Sequence, residues 1–372
     1  MEKEKSILIA CPASRDIITF RKSLIYKLQQ NGYKVSVIVF DSEYEKEILA
    51  LDVGFYVVKD DNRGLNPFKL LTLRKRYQKV IKLIAPEIVF TFMLKPNVFC
   101  VKAAKKLKIE NIFSMVEGGG DVFGNTGFKW KLIRAVVCSL YRSAFKISKK
   151  VFFTNHDDKA EFIERKLVKV NQCEVIPGIG VDLTHFDYRP VKNTYTFLMV
   201  SRMLVTKGVL EYCEAARKVK KIYPHAIFNY LGGEGTVTLS DIQQYIDDGS
   251  ICYLGTAKDV RPYYEDCAVQ VLPTFYREGL VIVNVEAGAI GRPTITCDTI
   301  GARDTVKNGY NGFLIPIKDV SALAEKMIYF LENPSKVEAM GLNNRAFAEK
   351  YFNQTEINEK ICKILAANIV SK

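Results

Sequence analysis

Short apolar runs alternate along this chain with longer segments in which apolar and charged residues are mixed. Each apolar run has the length of a buried strand, and the mixed segments between them have helical spacing. In the first half, the pattern predicts strands at residues 7–11, 34–40, 55–58, 87–92, 112–117, 151–155 and 174–177. Strands that alternate with helices are typical of a parallel sheet covered by helices on both faces.

The same alternation restarts after a loop that begins near residue 178. Further strands are predicted at residues 196–202, 226–233, 251–256, 269–274 and 293–298, with a helix at 208–223. We therefore predict an α/β protein of two Rossmann-like, doubly wound domains, residues 1–178 and 179–354, that face each other across a cleft. A last helix, at about residues 355–372, can pack on either domain, including back on the first. Ligands of such sheets bind at the carboxyl ends of the strands.

Length and composition support a globular enzyme-sized protein. The 372 residues exceed the roughly 100 to 200 of a single domain, and 48 % hydrophobic residues argue against disorder. No apolar run reaches the ~18 residues that cross a bilayer, and no hydrophobic segment opens the chain, so we expect neither a membrane span nor a secretion signal. Nine cysteines without a C-x-x-C pair fit a reducing cytoplasm.

The positive charge is confined to the first half of the chain. Residues 1–180 hold 32 Lys and Arg against 19 Asp and Glu, whereas the remainder holds 22 of each. The segment 128–153 carries seven cations, no acid and the only tryptophan, Trp130, with apolar residues at spacings of three and four. This pattern predicts an amphipathic basic helix. Two more basic clusters lie at residues 69–82 and 102–108.

Three partners could account for this charge. An anionic membrane surface attracts such helices, with about 1 kcal/mol for each cation near the surface. A basic helix can also be an ordinary solvated face. Nucleic acid is the third alternative, but the chain has no zinc-finger or RNP-like motif. Because three basic clusters share one half, we favour the membrane and expect a peripheral protein on the cytoplasmic face.

Two acids and a glycine form the most informative motif. Glu278 and Glu286 flank a turn at Gly279 that leads into a helix, in the sequence PTFYREGLVIVNVEAGAIGRPTI. A helix N-terminus behind a glycine turn can hold a diphosphate without a metal ion. The first carboxylate can then bind sugar hydroxyls and the second a ribose diol. The same spacing also arises by chance, in which case Glu286 is an ordinary helical acid.

Two cations form the second motif. Arg202 and Lys207 follow a predicted strand on a loop that enters a helix at Gly208. Cations that converge there can neutralise a diphosphate leaving group, the role of magnesium in other enzymes. No D-x-D triplet occurs in the chain. We therefore expect neither a metal ion nor a cofactor, although both cations could also be surface residues at a helix start.

With these two motifs in this order, the chain resembles glycosyltransferase family 4, retaining enzymes of GT-B fold, over nearly its whole length. The resemblance extends to GLNPF (64–68), VEGGGDVF (116–123), FFTNHDDKAEF (152–162), IPGIGVDLTHF (176–186) and TIGARDTVKNGYNGFLIP (299–316). Within the family, the chain is similar to the bacterial subgroup that assembles capsule, O-antigen or glycoprotein glycans on undecaprenyl diphosphate. Some members of this subgroup transfer N-acetylgalactosamine or galactose.

The resemblance implies a role for each residue of the two motifs. Arg202 and Lys207 would bind the diphosphate of a UDP-sugar donor. Glu278 would hold the hydroxyls of the donor sugar, and Glu286 would bind the ribose. The uracil would lie near Gly255 and Thr256. The backbone of Gly279, Leu280 and Val281 would contact the phosphate and the sugar.

The resemblance also assigns the acceptor to the first domain. A loop at residues 13–21 and the segment 117–121 would face the acceptor, and Glu117 would lie near the reacting hydroxyl. The alternative is that Glu117 is a buried structural acid. Leu280, Val281 and Asn284 depart from the usual family residues where the family contacts the donor sugar, so the resemblance leaves the sugar open.

The function implied is transfer of a hexose or N-acetylhexosamine from a UDP-sugar to a lipid-diphosphate-linked saccharide. In the front-face mechanism of retaining enzymes, the leaving diphosphate takes the acceptor proton and no protein nucleophile is needed. Two alternatives stay open. One is another GT-B enzyme, either a UDP-sugar 2-epimerase or a phosphorylase-like enzyme with lysine-bound pyridoxal phosphate. The other is a non-catalytic partner subunit.

Overall fold

The computed structural model of the protein describes residues 5–60 and 67–369. These form two compact units: the described residues up to 179 together with those from 354 onward make up the first unit, and residues 180–353 make up the second. The last helix of the chain therefore belongs to the first unit. In the GLNPF motif, residues 64–66 lie outside the described part of the chain.

The first unit contains a seven-stranded sheet in which every pair of neighbouring strands is parallel. The strand order is β3-β2-β1-β4-β5-β6-β7. The strands are β1 (Ser6–Ala10), β2 (Lys34–Val39), β3 (Gly54–Val57), β4 (Ile88–Phe92), β5 (Asn111–Val116), β6 (Lys150–Phe153) and β7 (Cys173–Val175). The seven strands predicted from the sequence are thus all present, with bounds shifted by one or two residues.

Helices cover both faces of this sheet. They are α1 (Ser14–Asp16), α2 (Lys22–Gln30), α3 (Glu45–Leu49), α4 (Pro67–Ile84), α5 (Val101–Lys106), α6 (Gly120–Gly124), α7 (Phe128–Phe145) and α8 (His156–Glu164), with π-helical turns at Ile17–Arg21 and Pro96–Cys100. Successive residues of β1 point to opposite faces: Ile7 packs with α2 and with the last helix of the chain, whereas Leu8 packs with α4, α5 and α7. Both faces are therefore buried, as expected of a parallel sheet.

Two predictions in the first unit were wrong. Within residues 13–21, expected to form a loop, all but Ala13 are helical, because the Asp41 carboxylate accepts the Ser14 backbone N–H and Ile17 is buried against the sheet. The basic helix predicted at residues 128–153 ends at Phe145. Beyond it, Lys149 donates hydrogen bonds from its ammonium to Asn111 and Asn368, and Lys150 begins β6.

The second unit contains six strands, again with every neighbouring pair parallel, in the order β10-β9-β8-β11-β12-β13. The strands are β8 (Thr196–Val200), β9 (Ile227–Leu231), β10 (Cys252–Tyr253), β11 (Val269–Leu272), β12 (Thr294–Cys297) and β13 (Gly312–Ile315). The sequence pattern missed β13, a four-residue edge strand that begins at a glycine. The helices, including the last one of the first unit, are α9 (Val209–Ile222), α10 (Leu239–Asp247), α11 (Arg261–Asp266), α12 (Ile282–Ile290), α13 (Val320–Glu332), α14 (Pro334–Tyr351) and α15 (Gln354–Ala367).

Each sheet reverses its winding direction once, between β1 and β4 in the first unit and between β8 and β11 in the second. The loops that follow the two central strands run to opposite faces of the sheet, which opens a crevice at their carboxyl ends. We call this place the reversal point of the sheet. Among the described residues, no helix has the length and apolar character needed to cross a membrane.

The loops at the carboxyl edge of the second sheet pack closely on one another. Gly232 follows β9 with φ +156°, and a Cβ atom there would lie 1.6 Å from the Ser201 carbonyl oxygen. The Gly232 N–H donates to the Gly255 carbonyl after β10, at 2.8 Å. Only a residue without a side chain allows these three loops to meet.

We predict that Gly232→Ala lowers the free energy of unfolding by at least ~2 kcal/mol, because backbone strain and overpacking act together. Gly249→Ala is the matched control: its φ is +72° and no atom lies within 4 Å of the added Cβ. It should cost about 1 kcal/mol, the penalty of a left-handed residue. Urea unfolding of both variants measures the difference. Equal losses in the free energy of unfolding would contradict the close approach of Gly232 to the Ser201 carbonyl.

Candidate functional site

The two predicted motifs meet at the reversal point of the second sheet. Strands β8 and β11 are paired directly, with Phe197 opposite Val269. The loops that follow them are bonded to each other, since the N–H groups of Phe275 and Tyr276 donate to the Thr206 carbonyl at 2.9 and 3.1 Å. Gly208 (φ +77°) permits this contact, because a Cβ there would lie 2.3 Å from the Pro273 carbonyl oxygen.

An ion pair between Lys207 and Glu278 links these two loops. The Lys207 ammonium donates to Glu278 Oε1 at 2.6 Å, and the Thr274 hydroxyl donates to the same oxygen at 3.4 Å. Lys207 and Glu278 are 18 % and 17 % exposed, so the pair is only partly shielded from solvent and a ligand can reach it. Arg202 lies on the loop after β8 and is exposed. The structure thus joins two of the predicted residues in a charge-assisted hydrogen bond.

The backbone positions predicted to contact a donor form the entrance to α12. Gly279, Leu280 and Val281 precede the helix, and the first turn of α12 carries no acid. Its N–H groups present the positive end of the helix dipole. Asn284, which the family resemblance places near the donor sugar, is buried and donates its side-chain N–H to the Thr305 hydroxyl at 3.0 Å.

Glu286 lies one turn further along α12 and is half-buried. Burial raises its pKa from 4.5 to about 7, although a hydrogen bond from the Tyr264 hydroxyl, at 3.3 Å, acts in the opposite direction. A carboxyl group that titrates near neutral pH is unusual, and such groups cluster at functional sites. Tyr264 of α11 is a residue that the sequence analysis missed, since nothing in its spacing marks it as a partner of Glu286.

The last two predicted donor residues follow β10. Gly255 has φ +76° and accepts the Gly232 N–H through its carbonyl, while Thr256 is exposed. Both lie at the same carboxyl edge of the sheet as the loop with Arg202. The side chain of Thr256 would be 3.3 Å from a Cβ placed on Gly233, so the loops after β9 and β10 are in contact.

In the first unit, Glu117 follows β5 and pairs with Arg21 of the π-helical turn Ile17–Arg21. The Arg21 side chain is 2 % exposed, and its guanidinium lies 4.1 Å from the centre of the Phe92 ring. Its Nε atom is buried without a hydrogen-bond partner. Because Glu117 remains partly exposed, a buried cation fixes a carboxylate that solvent can reach. Arg21 was not singled out in the sequence.

Comparison with known proteins identifies the family. The sequence profile described as "Glycosyl transferases group 1" matches residues 181–347, and that described as "Glycosyl transferase 4-like" matches residues 9–155. The chain is 30 % identical over 340 residues to the N,N'-diacetylbacillosaminyl-diphospho-undecaprenol alpha-1,3-N-acetylgalactosaminyltransferase of Campylobacter jejuni, covering 86 % of this chain and 88 % of that enzyme. The chain belongs to glycosyltransferase family 4.

Further relatives agree with this family. The UDP-Gal:alpha-D-GlcNAc-diphosphoundecaprenol alpha-1,3-galactosyltransferase of Escherichia coli is 25 % identical over 364 residues, which cover 93 % of this chain and 92 % of that enzyme. The crystal structure of Anabaena HepE in complex with UDP has a TM-score of 0.80 at 18 % identity, covering 98 % of this chain and all of that one. These findings confirm a glycosyltransferase with two Rossmann-like domains of the GT-B fold.

The raised pKa of Glu286 predicts how stability depends on pH. The carboxyl binds its proton more tightly in the folded state. Its contribution to the free energy of unfolding is therefore fully present below about pH 4.5 and is lost as the pH rises through about 7. Relative to Glu286→Gln, the wild type should therefore lose up to about 1.4 kcal/mol per pH unit in that window. Urea unfolding between pH 5 and 8 measures this difference.

Two variants make this test specific to Glu286. Tyr264→Phe removes the hydroxyl that lowers the pKa, so the titration should move to higher pH. Glu338→Gln removes an exposed acid of α14 and should leave the pH dependence as in the wild type. A wild-type profile that runs parallel to that of Glu286→Gln would contradict the burial of this carboxyl group.

The Arg21–Glu117 pair gives a second prediction about stability. Arg21→Met should lower the free energy of unfolding by about 1.5 to 3 kcal/mol, because it removes the charge-assisted hydrogen bond to the partly exposed Glu117 carboxylate. Arg21→Met combined with Glu117→Gln should recover most of that loss. A double-mutant cycle by chemical denaturation measures the coupling, and additive losses would show that the two side chains do not interact.

Proposed function

We propose that this glycosyltransferase is a retaining enzyme that uses a UDP-sugar as donor and a lipid-diphosphate-linked saccharide as acceptor. The sugar transferred is a hexose or N-acetylhexosamine, with N-acetylgalactosamine and galactose favoured. The observation that carries the proposal is the Lys207–Glu278 pair at the reversal point of the second sheet. The names of the Campylobacter and Escherichia relatives support the acceptor class, since both enzymes act on undecaprenyl-diphosphate-linked sugars. The pathway is then the assembly of a bacterial surface glycan.

The ion pair suggests how the donor is recognised. A diphosphate carries more negative charge than one carboxylate and competes with Glu278 for the Lys207 ammonium. When it binds, Lys207 and Arg202 hold the phosphates, and the released Glu278 accepts hydrogen bonds from the sugar hydroxyls. The backbone of Gly279, Leu280 and Val281 contributes at the start of α12, where the helix dipole favours an anion.

The nucleoside would occupy the remaining predicted positions. Glu286 accepts hydrogen bonds from the ribose hydroxyls as a carboxylate, and the uracil lies at Gly255 and Thr256. Burial raises the pKa of Glu286 to about 7, so part of the carboxyl is protonated near neutral pH. It must lose this proton before it can accept the ribose hydrogen bonds as a carboxylate. Nucleotide affinity should therefore be greater at pH 8 than at pH 6.

The proposed chemistry needs no nucleophile from the protein. The bond between the sugar C1 and the β-phosphate oxygen breaks while the acceptor hydroxyl oxygen attacks C1 from the same face. The acceptor proton passes to the departing phosphate oxygen, so the products are the lengthened saccharide and UDP. Lys207 and Arg202 stabilise the negative charge that grows on the diphosphate. We expect neither a metal ion nor a cofactor in this step, and transfer should be insensitive to EDTA.

The first unit is the proposed acceptor-binding unit. The Glu117 carboxylate, fixed by Arg21, is a candidate to accept a hydrogen bond from the reacting hydroxyl. The excess of cations in the first half would hold the enzyme at an anionic membrane, on the cytoplasmic face where lipid-linked saccharides are extended. Neutral vesicles should therefore bind it more weakly than anionic ones.

The proposal is tested by offering the purified protein a panel of UDP-, GDP- and ADP-sugars with a lipid-diphosphate-linked saccharide. We expect one UDP-sugar to yield a product with the anomeric configuration of the donor, determined by NMR. Lys207→Ala should lower kcat/KM by about 10²- to 10³-fold, because it removes a donor that acts on the leaving group.

Lys192→Ala is the matched control for this variant. Lys192 is also paired with an acid of the second unit, Asp266, at 2.9 Å, but both side chains are exposed. Its loss should leave kcat/KM within about twofold of the wild type, since exposed pairs contribute little. Normal transfer by Lys207→Ala, or conversion of a UDP-sugar without an acceptor, would overturn the proposal.

A further inference from the structure

The first unit contains a basic groove that the donor chemistry does not use. It lies along α7 and reaches the turn after α8, and it has a volume of about 730 Å³. Four of its eight lining residues are cations, and none is an acid: Lys131, Arg134, Arg142 and Arg165. Gly127, directly before the first turn of α7, lines it as well. The lining therefore has the charge of an anion-binding site.

Backbone carbonyls hold two of these guanidinium groups in position. Arg134 Nε donates to the Val122 carbonyl at 2.8 Å, and Arg142 donates from Nε and Nη2 to the carbonyls of Lys166 and Arg165, both at 3.1 Å. A carbonyl fixes a guanidinium without neutralising its charge. Positively charged groups held in advance bind an anion with little loss of side-chain entropy.

A carboxylate neutralises only part of this charge. Glu161 pairs with Arg165 at 2.7 Å, as its partner one helical turn away. Subtracting this one pair leaves about three positive charges around the groove. A phosphodiester carries one negative charge, and a diphosphate diester carries two. The charge balance therefore favours a diphosphate over the phosphate of an ordinary phospholipid.

An exposed apolar ridge runs beside the groove on the same helix. Phe128, Leu132 and Val136 are spaced by four residues and are 77 %, 55 % and 58 % exposed. Residues four apart lie on one helix face, and the groove residues Lys131 and Arg142 lie on the adjoining face. A ligand that fits both surfaces has an anionic group next to a hydrocarbon chain.

We propose that this groove binds the diphosphate of the lipid-linked acceptor, while the ridge contacts its hydrocarbon chain or the lipid around it. The inference rests on the proposed function and adds a specific phosphate site to it. Arg134 bonds the carbonyl of Val122, which is five residues from Glu117. Five residues span at most about 18 Å when extended, and the segment is shorter here because Gly120–Gly124 is helical. A diphosphate in the groove can thus place its saccharide near Glu117.

The test is flotation of the full-length protein with three kinds of vesicle and no donor. One contains phosphatidylcholine alone, the second adds undecaprenyl diphosphate, and the third adds phosphatidylglycerol at the same total charge. We expect the wild type to bind the diphosphate vesicles at least tenfold more tightly than the charge-matched phosphatidylglycerol vesicles. Lys131→Gln combined with Arg142→Gln should abolish that preference.

A charge-matched control separates a defined site from general attraction. Lys105→Gln combined with Lys106→Gln removes two exposed cations of α5. It should weaken binding to both anionic vesicles to the same degree and keep the preference for diphosphate. Loss of that preference in both double variants, or equal binding of the wild type to both anionic vesicles, would overturn the groove as a diphosphate site. UDP affinity and melting temperature, measured on every variant, exclude unfolding as the cause.

Failure of this inference can be distinguished from failure of the proposed function. If the groove is the diphosphate site, its double variant should raise the KM for the lipid acceptor at least tenfold and leave the affinity for UDP unchanged. If that variant transfers sugar with the wild-type acceptor KM, the groove does not bind the diphosphate of the acceptor, but the proposed transferase function still holds. Absence of transfer by the wild type would count against the proposed function instead.

Discussion

The direct pairing of β8 with β11 is the constraint on which the candidate donor site depends. The sheet reverses its winding between these two strands, so the loops that follow them meet at one edge. Lys207 and Glu278 are 71 residues apart in sequence, yet the pairing brings their charged ends to 2.6 Å. Gly208 and Gly232 then allow the surrounding loops to pack without the steric overlap that a side chain would cause. Any change in this strand order would separate the two motifs.

Burial sets the chemistry of the charged groups around this edge. Burial raises the pKa of Glu286 to about 7, whereas Lys207 and Glu278 keep part of their surface in contact with solvent. In the first unit, the opposite arrangement occurs: the buried Arg21 holds the partly exposed Glu117. The second unit thus presents a partly exposed ion pair, and the first unit presents a carboxylate held by a buried cation.

Much of the fold follows from the sequence, because buried parallel strands are continuous apolar runs. Strand β13 escaped this reasoning since it is short and begins at a glycine. The C-terminal end of α7 was also not predicted, because lysines continue past it into β6. Contacts between distant residues could not be predicted: Tyr264 meets Glu286 and Arg21 meets Glu117 only through the tertiary fold. The family motifs named the candidate residues, and the structure shows the contacts that hold them.

The proposed function requires a nucleotide diphosphate to replace Glu278 as the partner of Lys207. A crystal structure of the protein with bound UDP tests this exchange. We expect the Lys207 ammonium within hydrogen-bond distance of the β-phosphate, with the Glu278 carboxylate released toward the place of the donor sugar. UDP bound elsewhere, or bound with the Lys207–Glu278 pair still intact, would contradict it.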